Sequence, residues 1–340
     1  MQRALRIGIA GLGRLGQRHA EIFRWRLRGA EVVAAASPSA DERAWASKTL
    51  DITDVVSDYA QLLALPDIDA VVIVTPTSMH ADQVIAALDA GKHVFCEKPL
   101  ALDVADCLRV EAAAARHTAQ RVLVGFVRRF DPSYTAALQK IHAGAIGTPF
   151  MVRSQTLDKN DPSGFFVRFA PTSGGIFLDM SIHDIDCARF LLGGPKARRV
   201  YASGIIAMHP GLAACGDIDN GVATIEFDGG KLAVIYVSRT LAHGMEASTE
   251  VFGSGGRIAI GQGMKLDGLD IADAEGDRRE GLPTFWERFA DAFVVEAQAF
   301  VDAVRDGAPL PLSLADATEN TRIARAVTDA FRSNKPVELD

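Results

Sequence analysis

In the first third of the chain, apolar residues cluster in short unbroken runs separated by stretches of helical spacing. Residues 5–10, 32–36, 70–74, 93–96 and 122–125 read as strands, and 15–27, 41–49, 80–90 and 103–117 as helices. The runs are continuously apolar rather than alternating, as parallel strands covered on both faces require. Strand–helix alternation with right-handed crossovers predicts a doubly wound α/β domain. After about Phe126 the pattern changes. A helix at 132–142 precedes extended segments at 150–156, 199–206, 222–227, 231–239, 250–252 and 257–260. Asp228-Gly229-Gly230 is a hairpin signal between two of them. A helix at 181–192 stops at Gly193-Gly194-Pro195, and the tail is helical again at 286–305 and 314–332. This half predicts an α+β domain on a large, mostly antiparallel open sheet.

Composition narrows the class. The 340 residues carry 36 Lys+Arg against 43 Asp+Glu, a formal charge of −7, with 48% hydrophobic residues. That apolar content excludes intrinsic disorder, and the length suits two domains. No long Lys/Arg cluster marks a nucleic-acid or anionic-lipid surface. Cys96, Cys107, Cys187 and Cys215 have no metal-ligand or disulfide-scaffold spacing. The basic start at 1–6 resembles a signal peptide, but Arg14, Arg18 and His19 interrupt the apolar run that follows. No stretch reaches the ~20 apolar residues of a membrane span. The expectation is a soluble, cytoplasmic protein without a metal.

Gly11-Leu12-Gly13-Arg14-Leu15-Gly16 is a GxGxxG turn between the first strand and first helix. Its glycines permit a tight turn, close approach of backbone to a pyrophosphate and close helix packing, and the helix N-terminus offers free N–H groups. In this βαβ context it predicts a Rossmann, NAD(P)-binding domain over residues 1–126, with a second domain over 127–340. The acidic residue that binds the adenosine ribose is expected near residue 37, where Ser37 stands. With no carboxylate there, and with Ser39, Arg14 and Arg43 nearby, NAD versus NADP stays open, leaning toward tolerance of NADP.

Three further constellations fall at strand ends or helix starts. Glu97-Lys98-Pro99 follows the strand at 93–96, at the carboxyl edge where doubly wound sheets bind ligands. There a lysine can stabilise an alkoxide-like oxygen; as an isolated tripeptide it is more commonly a surface turn. Thr75 and Pro76 end another strand at the same edge, either lining the cofactor path or turning into a helix. Asp179 and His183 stand four apart, a spacing that shares one face if helical. Histidine can take a proton near neutrality and the carboxylate can orient it. The alternative is Asp179 as a helix N-cap beside a buried histidine.

Together these segments resemble the Gfo/Idh/MocA family of nicotinamide-dependent oxidoreductases, and within it the inositol 2-dehydrogenases. The resemblance covers nearly the whole chain: GLGRLGQRHA (11–20), EKPLALD (97–103), VGFVRRFDPSY (124–134), IGTPFMVRS (146–154), GGIFLDMSIHDIDCARFLLG (174–193), VSRT (237–240), EVFGSGG (250–256) and AQAFVDAV (297–304). It implies Lys98 as the catalytic lysine and Asp179 with His183 as the paired catalytic residues, His183 being the general base. The three are expected to converge beside the nicotinamide ring. The cofactor set it implies is Gly11, Gly13, Arg14, Leu15, Gly16, Ser37, Thr75, Pro76, Glu97 and Lys98. Phe126, Arg129, Asp158 (expected in the loop after the strand at 150–156) and Tyr236 are its candidates for substrate contact. The implied reaction is oxidation of a secondary hydroxyl of a cyclic polyol, with an aldose or anhydro-sugar dehydrogenase or reductase as the alternative. A non-catalytic NAD(P)-binding sensor would lack the lysine or histidine, and both are present. Homodimers or homotetramers are implied through the open sheet.

Overall fold

The computed structural model describes residues 3–339, so the first two positions of the basic N-terminal stretch lie outside the described residues. The chain forms two compact units, one from residues up to 127 with 291–321, the other from 128–290 with 322–340.

In chain order the first unit opens with β1 (Leu5–Ala10), α1 (Arg14–Trp25), β2 (Ala30–Ala36), α2 (Ala40–Thr49), β3 (Asp54–Val56) and α3 (Tyr59–Leu63). It continues through β4 (Ala70–Ile73), α4 (His80–Asp89), β5 (His93–Glu97), α5 (Val104–Arg116) and β6 (Val122–Gly125). The six strands are all parallel in the order β3-β2-β1-β4-β5-β6. Ile7, Ile9, Val71, Val72, Val94 and Phe95 are fully buried, which explains their unbroken apolar runs. Helix starts follow the side-chain chemistry: Ser39 caps α2 by accepting from Glu42 N, and Asp103 caps α5 by accepting from Asp106 N.

The second unit comprises α6 (Pro132–His142), β7 (Pro149–Lys159), α7 (Phe165–Ser173), α8 (Ile176–Asp179), α9 (Ser181–Leu192), β8 (Ala197–Ile205) and β9 (Asn220–Phe227). β10 (Lys231–Leu241), β11 (Glu246–Gly253), β12 (Gly256–Ile260) and the small ribbon β13 (Ile271–Asp273) and β14 (Gly276–Arg278) follow. The long helices α10 (Phe285–Asp306) and α11 (Leu314–Ser333) divide between the units, and β15 (Val337–Glu338) closes the chain. The large sheet has seven strands in the order β12-β11-β7-β10-β9-β8-β15. It is antiparallel except where β10 runs parallel to β7. The predicted hairpin joins β9 to β10, with Gly229 and Gly230 at φ of 73° and 70°, a region open to glycine at little cost.

Along β8–β10 buried and exposed residues alternate. Val200, Ala202, Ala223, Ile225, Ala233, Ile235 and Val237 form an inner face, against which α9 packs on β7 and β10. Tyr201, Ile205, Val222 and Tyr236 stand on the outer face, 37–64% exposed. In the first unit, Phe300 of α10 meets Phe95 edge-on at 5.9 Å, and Phe293 meets His19 at 5.5 Å.

Candidate active site

The turn between β1 and α1 is built for a large anion. Gly11 has φ of +89°, and a Cβ on it would lie 2.6 Å from the Val74 carbonyl oxygen. One on Gly16 would lie 2.1 Å from the Gly11 carbonyl oxygen. Gly13 differs: it is exposed, and the nearest atom to a Cβ there is Glu42 Oε1 at 4.0 Å. No side chain caps α1, whose preceding residue is Gly13, so the first-turn N–H groups face this opening. These residues fit the pyrophosphate of a dinucleotide. Arg14 is exposed and Leu15 half-buried at the helix start.

Ser37, at the end of β2, is buried. Its hydroxyl donates to Glu42 Oε2 at 2.5 Å and accepts from Ser39 N at 3.1 Å. The carboxylate missing from position 37 is thus present next to it, supplied from α2. Arg43 is turned onto the backbone, donating to the carbonyls of Ser37 and Pro38 at 2.8 and 2.9 Å.

At the carboxyl end of β5, Glu97 is buried and Lys98 half-buried, and the Lys98–Pro99 bond is cis. Glu97 accepts from His19 Nε2 at 2.7 Å and from Lys98 N at 3.0 Å, fixing the backbone at the lysine. His80, fully buried, stands between two turns: Nδ1 is 2.8 Å from the Pro99 carbonyl oxygen and Nε2 is 2.9 Å from that of Thr75. Burial pulls its pKa below the ordinary histidine value, against the opposing pull of these carbonyls. Thr75 donates to the Gln83 side-chain oxygen at 2.6 Å, and Pro76 is exposed. His80 thus ties the strand ends of β4 and β5 together, a role for which only its place in Thr75-Pro-Thr-Ser-Met-His80 offered a signal.

In the second unit, Asp179 ends the single turn α8 and His183 lies in the first turn of α9. The residue preceding α9 is Met180, so Asp179 is not an N-cap. In the segment 176–189, nearly every neighbour is buried while Asp179 and His183 retain exposure. Asp179 Oδ2 accepts from Arg239 at 3.0 Å, and the same guanidinium donates to Asp217 at 3.1 Å. Asp217 also accepts from Ile176 N at 2.9 Å, at the start of α8. Arg239 is fully buried on the inner side of β10, its guanidinium 5.3 Å from the Phe166 ring centre. A charged residue closing an apolar strand is the signal that it has work to do beyond solvation.

The residue after His183 anchors its helix. Asp184 is fully buried and accepts from Arg128 at 2.9 Å, Ser154 at 2.6 Å and Thr156 at 2.6 Å. Burial opposes the Arg128 charge, but Asp184 more than offsets it and raises the arginine's pKa. Arg129 pairs with Asp186 through Nε and Nη2, at 2.9 and 2.7 Å, and stacks on Phe190. Phe126 is buried at the end of the first unit's main segment. Asp158 lies inside β7 rather than in a following loop, on the inner-face parity of Ser154 and Thr156. Tyr236 projects from the outer face and donates to Asn220 at 3.0 Å. Among the described residues, no group of three or more His, Cys, Asp or Glu side chains is placed to hold a metal ion.

The parallel sheet with its glycine turn defines a dinucleotide-binding protein, and the second unit adds a histidine and a braced carboxylate. The chain belongs to the Gfo/Idh/MocA family: residues 5–126 match its NAD-binding Rossmann oxidoreductase model and residues 134–259 its C-terminal domain model. It is 37% identical to the scyllo-inositol 2-dehydrogenase (NAD(+)) of Bacillus subtilis (strain 168), over 100% of this chain and 98% of that protein. It is 33% identical to the myo-inositol 2-dehydrogenase of Thermotoga maritima, over 99% of each. The crystal structure of scyllo-inositol dehydrogenase from Lactobacillus casei with bound NAD(H) and scyllo-inositol superposes with a TM-score of 0.95, at 37% identity and 99% coverage of both chains. The chain is thus an NAD-binding oxidoreductase similar throughout its length to inositol 2-dehydrogenases.

Proposed function

We propose that the protein oxidises a secondary hydroxyl of a cyclic polyol of the scyllo- or myo-inositol type to the ketone, using NAD. Bound NAD supplies the hydride acceptor at its nicotinamide ring, which no side chain can provide. His183 takes the hydroxyl proton, a task suited to imidazole near neutral pH. Lys98 donates a hydrogen bond to the same oxygen and stabilises the charge that develops on it. Asp179 orients the polyol or the base. The observation that carries this reading is the Arg239 brace: a fully buried guanidinium spanning Asp217 and Asp179 holds the latter carboxylate in one position while leaving it partly exposed. Similarity to inositol dehydrogenases over the full length supports the polyol class.

The test is initial-rate measurement of NADH formation with scyllo-inositol, myo-inositol and pyranose sugars. Lys98→Met and His183→Ala should each lose at least ~100-fold in turnover, the scale of acid–base catalysis. Wild-type turnover in either variant overturns the role assignment. Turnover of pyranoses without inositols would favour the aldose reading.

The same reading includes association of copies. Exposed Tyr201, Ile205, Val222 and Tyr236 on the outer face support a homodimer or homotetramer formed there. All four cysteines are free thiols, and among the described residues no helix is long and apolar enough to cross a membrane. The free thiols support a cytoplasmic setting.

A further inference from the structure

We propose that Glu42 is the residue that selects NAD over NADP, from a position on α2 where the fingerprint does not look for it. The inference rests on the dinucleotide reading of the first unit and concerns the adenosine ribose alone. Three observations carry it. First, Ser37 cannot serve a 2′-phosphate as a free donor, because its hydroxyl hydrogen is spent on Glu42 Oε2. Second, that same bond and the Ser39 cap on Glu42 N fix the carboxylate at both its backbone and its head. Third, the other oxygen, Oε1, faces Gly13, being the nearest atom to the Cβ position of that exposed glycine, at 4.0 Å. An acceptor is therefore held at the glycine turn, next to the strand end where a ribose carboxylate normally stands.

The chemistry follows from charge. A carboxylate accepts hydrogen bonds from a vicinal diol and repels a phosphate dianion, so it favours the ribose of NAD and opposes that of NADP. Arg43 is one of the two nearby cations, with Arg14, that would favour a 2′-phosphate, and its Nη1 is held on the carbonyls of Ser37 and Pro38. On this proposal Glu42 opposes the lean toward NADP that Ser37 alone suggests.

Calorimetric titration of the full-length protein with NAD+ and with NADP+, without substrate, tests this. Wild type should bind NAD+ at least about tenfold more tightly, equivalent to ~1.4 kcal/mol. Glu42→Gln should bring the ratio of the two dissociation constants close to one, weakening NAD+ and strengthening NADP+. Asp41→Asn, which removes an exposed charge from the same turn, should leave the ratio unchanged. Equal wild-type affinities, an unchanged ratio in Glu42→Gln, or an equal shift in Asp41→Asn each overturn the assignment. Failure of wild type to bind either dinucleotide would instead overturn the underlying reading.

Discussion

Glu296, on α10 within the first unit, is fully buried with neither carboxyl oxygen hydrogen-bonded. Burial, with the nearby Glu97 charge, pushes its pKa well above the ordinary 4.5. The folded chain therefore keeps its proton where the unfolded chain gives it up. Its contribution to stability is intact below the unfolded value and is lost progressively as pH rises above it. Glu296→Gln is neutral in both states, so thermal melts from pH 5 to 8 should fall less steeply with rising pH than those of wild type. Parallel pH profiles would count against a buried neutral acid. Sequence offered no hint of this residue, because one glutamate on a helical face looks solvated until the partner that covers it is known. Glu42 escaped for a related reason: the fingerprint counts residues along the strand, whereas the carboxylate reaches the same place from a helix.

At the level of elements, α9 is held by ionic chemistry more than by periodicity. Ten of its twelve residues are buried, so it has no polar stripe to orient it. Asp184, bonded to Arg128, Ser154 and Thr156, sets its rotation on β7 and with it the direction of His183. Asp184→Ala would strand a buried guanidinium and should destabilise the protein by ~3–5 kcal/mol, the cost of breaking a buried pair. Chemical denaturation measures this; a loss below ~1 kcal/mol would show the anchor to be dispensable. Most elements were legible because their apolar spacing is strong, as in β1, α5 and β6, whose bounds agree with the pattern to within a residue. β3 and α3 were not, being three and five residues long. α7 was hidden by its internal Pro171, a residue that normally argues against a helix.

Across the whole molecule, the doubly wound sheet and the antiparallel sheet were both foreseeable, but the order of the strands was not. Parallel pairing of β10 with β7 joins segments some eighty residues apart, and no local pattern encodes such a register. The outer face carries the molecule-scale prediction. Light scattering at micromolar concentration should give a mass above that of a single chain, and Ile205→Glu combined with Val222→Glu should reduce it to the monomer. A monomeric wild type would sink the association reading.

The seven-strand order has one last consequence. β7 and β10, which carry Thr156 and Arg239, are interior strands, with paired neighbours on both sides. The rim strands and their loops can therefore change without disturbing the interior, while the carboxylate brace and the helix anchor sit where hydrogen bonding on both flanks damps any displacement. Rigidity is concentrated beneath the brace and the anchor, and room for change is left to the margins.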